Sequence, residues 1–301
     1  MDQPDRDDYL RGIFERVSNC GRWGDDDELG TLNFITAEKR VTAAKLVEAG
    51  KVVSVGRDLS TEADAVNFWP IQHLMVAEHA GIGPAYDFVG INPHGFAVTH
   101  LDAITHSNWN GRVYNGRTIS EIQTRTGLTF GSIFAQREGI FTRGVLLDVA
   151  SCRGVSALPP DAGITVADLE AAERMAAVRV GSGDVLLLRM GLRVWEADNG
   201  VQAVDRRAGL LPECLEWFHE REIAVYGGDC IERIPSASSE FRLPLHHIGM
   251  PSMGLVLLDW PEVEELAMTC IAFRRWEFLF TVAPMRLDGA TGAAVNPLCI
   301  F

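Results

Sequence analysis

Short, wholly apolar runs separated by amphipathic stretches constrain this chain more than any other feature. Gly144-Val145-Leu146-Leu147-Asp148-Val149, Asp184–Arg189, Ala224-Val225-Tyr226 and Leu255–Leu258 are each too brief for an ordinary helix and lack polar alternation. That is the pattern of strands covered on both faces. Between them, Thr165-Val166-Ala167-Asp168 matches a capping box opening a helix through about Val178, and Pro212–Glu222 reads as a helix with proline in its first turn. Glu277–Pro284 adds a late strand. The alternation predicts an α/β architecture around a covered sheet.

Upstream, Thr36 is placed to cap a short amphipathic helix over Ala37–Ala49, stopped by Gly50, and Lys51–Leu59 has strand propensity. The block from Asn67 to Tyr114 differs. It mixes aromatic residues, glycines, prolines and five histidines (73, 79, 94, 100 and 106), which suits a pocket lining better than a regular element. No repeat or linker divides the 301 residues, so one large domain preceded by an N-terminal extension with a short helix, residues 1–50, is expected.

The formal net charge of −14, with no Lys/Arg stripe, argues against a nucleic-acid partner. Six cysteines at 20, 152, 214, 230, 270 and 299 form no CxxC pair, which suits free thiols in a reducing compartment. The first twenty residues lack a basic start followed by an apolar run, and no stretch reaches the ~18 apolar residues of a membrane span. A cytoplasmic location is expected.

Chemistry concentrates in Thr99-His100-Leu101-Asp102-Ala103-Ile104-Thr105-His106. On an extended chain His100 and Asp102 share a face because strand side chains alternate with period 2. A neutral imidazole beside a carboxylate suits Zn²⁺ or Mn²⁺. His106 reaches the same pocket if the chain turns, and a pKa near about 6.5 fits it to carry protons. Hydrogen-bonded interior residues satisfy the same spacing, which does not by itself separate the two readings.

The segment His100-Leu101-Asp102-Ala103-Ile104-Thr105-His106 resembles the second half of the H-x-G-T-H-x-D-x-P-x-H signature of the putative cyclase family, which includes bacterial kynurenine formamidase and isatin hydrolase. Gly181–Gly191 resembles the family's strand before the active site, Gly228-Asp229 its glycine–aspartate turn, and His247 and Asp259 have the spacing of its remaining ligand pair. The resemblance runs from about residue 50 to the end and implies a swivelling β/β/α fold, a formamidase-like catalytic domain over 51–301, and self-association into a homo-oligomer. It implies His100, Asp102, His247 and Asp259 as metal ligands and His106 as catalytic acid or base. His246 takes the place of His247 if the register is off by one. Asp259 stands where the family more usually has glutamate, and can alternatively cap a helix begun by Pro261.

The first signature histidine falls at Phe96, and the Gly-Thr pair at Val98-Thr99. His94 is the nearest substitute; on a straight strand it lies roughly 20 Å from His100, so it serves only if the chain bends. The resemblance implies hydrolysis of an amide or ester carbonyl in a small, aromatic or cyclic molecule: an N-formyl arylamine, a lactam or a lactone. Trp69, Phe96 and Trp109 are candidates for an apolar substrate wall, though each taken alone reads first as core. Asn108, Asn110 and Arg112 can orient a polar substituent, whereas Asn110-Gly111 and Asn115-Gly116 can simply be turns. No G-x-S-x-G nucleophile motif is present. Two alternatives stay open: a lyase or cyclising enzyme on the same fold, and a non-catalytic small-molecule or metal-binding protein.

Overall fold

A computed structural model describes residues 3–77 and 84–301; His79 lies outside the described residues. Eleven strands matter for the site: β1 (Val52–Ser54), β2 (Gln72–Ala77), β3 (Tyr86–Gly90), β4 (His100–Asp102), β5 (Ile140–Asp148), β6 (Val185–Arg189), β7 (Val225–Gly228), β8 (Val256–Asp259), β9 (Glu277–Val282), β10 (Gly292–Ala294) and β11 (Leu298–Ile300). Nine of them form one sheet in the order β1-β11-β9-β5-β6-β7-β8-β4-β10. The four central strands β5 to β8 run parallel, and both flanks are antiparallel.

The apolar runs form the parallel centre because both of its faces are covered. Leu186 and Leu188 point into one buried cluster with Leu147 and Leu257, while Val185 and Leu187 point into the opposite one with Leu146 and Leu258. Alternate residues feeding two cores is what a doubly covered sheet demands. Truncating Leu187 to alanine is expected to cost about 2–5 kcal/mol in denaturant unfolding. Leu10, Ile13 and Val17 in and just after the helix Gln3–Arg16 join the first cluster, so the N-terminal segment packs into the same body.

The helix signals hold with trimmed ends. Thr36 caps Ala37–Ala44, accepting a hydrogen bond from the Lys39 amide, and Pro212 precedes Cys214–Arg221. The Thr165–Asp168 box opens Val166–Ala176. There, Arg153 clamps Asp168 with two bonds of 2.8 and 2.6 Å, and that pairing, with the Thr165 bonds, pushes the Asp168 carboxyl down to about 2. Its folded value lies below its unfolded one, so the stabilisation is present above pH about 4 and is lost as pH falls towards about 2. Thr165→Ala is expected to lower unfolding free energy by about 1 kcal/mol.

The segment 67–114 is more regular than its composition suggests. β2 and β3 form an antiparallel hairpin outside the main sheet, with Leu74, Met75, Val76, Tyr86, Phe88 and Val89 all exposed. β4 is short and fully buried. Asn110 and Asn115 do mark turns, both with positive φ. All six cysteines are free. No described helix is long and apolar enough to cross a membrane.

Candidate metal centre

Three of the side chains meet because of strand register. His100 and Asp102 share a face of β4, and Asp259 at the end of β8 is the direct cross-strand partner of His100. Cross-strand partners project their side chains together. After Asp259 the chain turns sharply at Trp260, which adopts a left-handed φ of 56°; the Thr99 hydroxyl holds that turn by donating to the Trp260 carbonyl at 2.7 Å. Asp259 caps no helix, since the next one begins at Glu264 without a side-chain cap.

Loops on either side of β4 bring in two more imidazoles. His94 Nδ1 lies 3.1 Å from Asp102 Oδ1, so the chain bends and the straight-strand distance does not apply. Its ring stacks on His106, with centroids 3.8 Å apart and planes nearly parallel. Gly292, paired with Asp102 in β10, makes the room: a Cβ there would sit 2.7 Å from His94 Cε1. Gly292→Ala is expected to displace His94 and weaken metal binding without altering a donor atom.

The fifth group corrects the sequence expectation. The structure places His246, not His247, at the cluster: His246 Nε2 is 3.5 Å from Asp259 Oδ2 and 3.8 Å from Asp102 Oδ2, whereas His247 is within 4.0 Å of neither carboxylate. Both sit in the π-helical segment Leu245–Met253, where consecutive side chains point in different directions, and only one of two neighbours can face the pocket.

The donors are spaced for an ion rather than for one another. His100 Nε2 is 3.4 Å from Asp102 Oδ1 and 3.9 Å from Asp259 Oδ2. Donors held at about 2.1 Å around one tetrahedral ion sit roughly 3.4 Å apart. Asp102 Oδ2 and Asp259 Oδ1 are buried without a hydrogen-bond partner, and His94 Nδ1 and Asp102 Oδ1 face each other at 3.1 Å out of hydrogen-bond alignment. Two sets, His94/Asp102/His106 and His100/Asp102/Asp259, bring three donors within 4.8 Å of one another, with Asp102 common to both. Leaving several polar atoms unpaired in a dry site costs about 1–3 kcal/mol each; a divalent cation removes that cost, so these residues fit one.

The surroundings fix ring orientations and charges. His100 Nδ1 donates to the Val98 carbonyl at 2.8 Å, leaving Nε2 for the cluster. His94 Nε2 bonds Thr291 Oγ1 at 2.9 Å, and Gln136 Nε2 donates to the Asp102 carbonyl at 3.0 Å. Burial opposes charge on His100, but Asp102 and Asp259 hold it up at about 9. Burial likewise opposes the Asp102 carboxylate, yet His106, His100 and His94 keep it well below the usual carboxylate range. His106 goes the other way: burial, reinforced by His94 and His246, pushes it down to about 4.

Of the aromatic candidates, Phe96 packs on Trp260 at 5.3 Å and beneath Arg207, while Trp69 is 61% exposed. With Asn67, Phe68 and His94 they line a narrow cleft of about 10 Å³. Trp109 instead packs with the core, stacked on Phe241 and tilted against Phe14. The roomier surface clefts, such as one of 430 Å³ lined by Thr124, Arg137 and Asp288, contain none of the cluster residues.

The putative cyclase family model matches residues 40–232, well over half of the chain. The chain belongs to that family. A crystal structure described as a novel cyclase superposes on this cyclase-family protein with TM-score 0.84 at 28% identity, covering 94% of this chain and 99% of the other. Isatin hydrolase A from Labrenzia aggregata, bound to benzyl benzoate, gives TM-score 0.61 at 16% identity over 87% of this chain and 98% of that one. A structure described as a potential metal-dependent hydrolase with cyclase activity gives 0.51 at 14% identity, covering 83% and 98%. At such identities the last two show the shared fold. No curated protein matches the sequence significantly.

Proposed function

We propose that this cyclase-family protein is a metal-dependent hydrolase cleaving an amide or ester carbonyl in a small aromatic or cyclic molecule. The convergence of unpaired buried donors on Asp102 carries the reading. His94, His100, Asp102, His246 and Asp259 would hold Zn²⁺ or Mn²⁺, matching the imidazole and carboxylate preference of those ions. Such a cation supplies Lewis acidity and a water of lowered pKa. The chain's own part is to hold the donors rigidly and to move the proton. His106, held neutral at pH 7 by burial, is free to accept a proton on a ring nitrogen and return it to the leaving nitrogen or oxygen.

Phe68, Trp69 and Phe96 present apolar side chains beside His94; the cleft between them as it stands has room for no more than about one water, so a planar ring would have to part these side chains or lie over the mouth. Isatin is itself a cyclic amide, and the isatin hydrolase neighbours make lactams the first substrates to test, alongside N-formyl arylamines and lactones. The exposed apolar hairpin β2–β3 supports self-association, since a lone two-stranded hairpin is marginal in water.

Elemental analysis of protein purified without added metal, paired with His100→Ala, tests the centre. One equivalent lost on mutation is expected; an active wild type free of metal would overturn the reading. Product mass separates hydrolysis, which adds one water, from lyase or cyclising chemistry.

A further inference from the structure

Glu232 is the least explained charge near the centre. It is 3% exposed and forms no pair with any arginine or lysine within 4.0 Å among the described residues. Its two oxygens are nevertheless both used. Oε2 accepts the Leu245 amide at 2.6 Å, and Oε1 meets His246 Nδ1. An ionised carboxylate can only accept, so Nδ1 is the protonated nitrogen. That leaves Nε2, the atom facing Asp102 and Asp259, as the nitrogen a cation would take on displacing its proton.

The backbone around Glu232 is clamped. Residues 207–210 and 231–234 are stitched by Arg207 N to Ile234 O, Ile234 N to Arg207 O and Arg233 N to Leu210 O at 2.9–3.1 Å. The approach is close enough to require glycine at position 209: a Cβ there would lie 2.2 Å from the Glu232 carbonyl carbon and 2.5 Å from Arg233 N.

We propose that Glu232 is the positioning residue for His246, fixing its tautomer and ring angle, and that Gly209 sets Glu232 by allowing this close backbone contact. The inference rests on the metal reading above. Carboxylates that orient a metal-binding histidine are worth about 10–100-fold in metal affinity. Gly209 lies outside the donor set, so its effect on the metal can arise only through the displaced Glu232 segment.

The experiment titrates Zn²⁺ into chelator-treated full-length protein by competition with a chromophoric chelator, for wild type, Glu232→Gln, Glu232→Ala and Gly209→Ala. Circular dichroism and thermal unfolding check folding. Glu232→Ala is expected to bind about 10–100-fold more weakly. Glu232→Gln, which keeps one acceptor for Nδ1–H, should lie between it and wild type, and Gly209→Ala should also weaken binding. Unchanged affinity in folded Glu232→Ala would overturn the proposal, as would equal losses in the Gln and Ala variants, which would mark a general structural role. The ¹⁵N shifts of His246 in Zn²⁺-loaded wild type give an independent readout: Nδ1 should be protonated, and a protonated Nε2 with free Nδ1 would also overturn it. Wild type that binds no Zn²⁺ yet shows the Nδ1–H tautomer would sink the metal reading alone.

Discussion

Asp102→Asn protein is expected to purify without its metal and without measurable turnover, the largest effect of any single substitution in the cluster. Both three-donor groupings contain Asp102, so no ion in this pocket avoids it. Orienting residues alone are worth about 10–100-fold in affinity, and loss of a shared ligand should exceed about 100-fold. The isosteric amide keeps the volume of a fully buried side chain, so the fold should survive and the measurement stays interpretable. Retained metal at wild-type stoichiometry would show that Asp102 is structural and that the donors meet for another reason.

The same carboxylate predicts how metal binding depends on pH. In chelator-treated protein Asp102 and Asp259 hold His100 at about 9, so its ring carries a proton at pH 7 that an incoming cation must displace. Zinc affinity should therefore rise between pH about 6.5 and about 9, with proton uptake by buffer visible in calorimetry across buffers of different ionisation enthalpy. For the fold the sign is opposite. A raised histidine pKa stabilises the chelator-treated protein below about 6.5, and that stabilisation fades as pH climbs through about 9.

How much of this could be read from the chain depended on whether a residue's role leaves a local pattern. The central strands were legible because burial on both faces removes polar alternation, as at Val185–Leu188. Thr165 and Asp168 were legible because a capping box is a four-residue event. His100 and Asp102 follow from period 2, and their meeting with Asp259 needed only the β4–β8 register. The hairpin β2–β3 was not legible: its apolar residues are exposed, so no core-facing period marks them. His94 was legible only as a candidate that needed a bend, because spacing says nothing of where a loop turns; the bend and the space left by Gly292 bring it to Asp102. Choosing between His246 and His247 required the facing of one helical turn. Glu232 has no sequence signal at all, being one of 41 acidic residues whose function lies in a contact fourteen positions away.

His106→Ala should separate chemistry from metal holding. Turnover is expected to fall by about 10²–10⁴-fold, while metal content stays near wild type, because His94, His100, Asp102, His246 and Asp259 all remain. The argument rests on environment. His106 lies against His94 at 3.8 Å in a pocket already rich in imidazoles, and burial drives its pKa down to about 4. A neutral ring at pH 7 is a base waiting for a proton, and the acid limb of kcat/KM should sit well below the usual histidine value of about 6.5. His106→Ala should abolish that limb along with the rate. If metal is lost in parallel with activity, His106 belongs to the donor set with His94 and Asp102, and another group must move the proton. If metal and turnover both persist, the stacked pair is packing, and the case for hydrolysis would then have to rest on the cation alone.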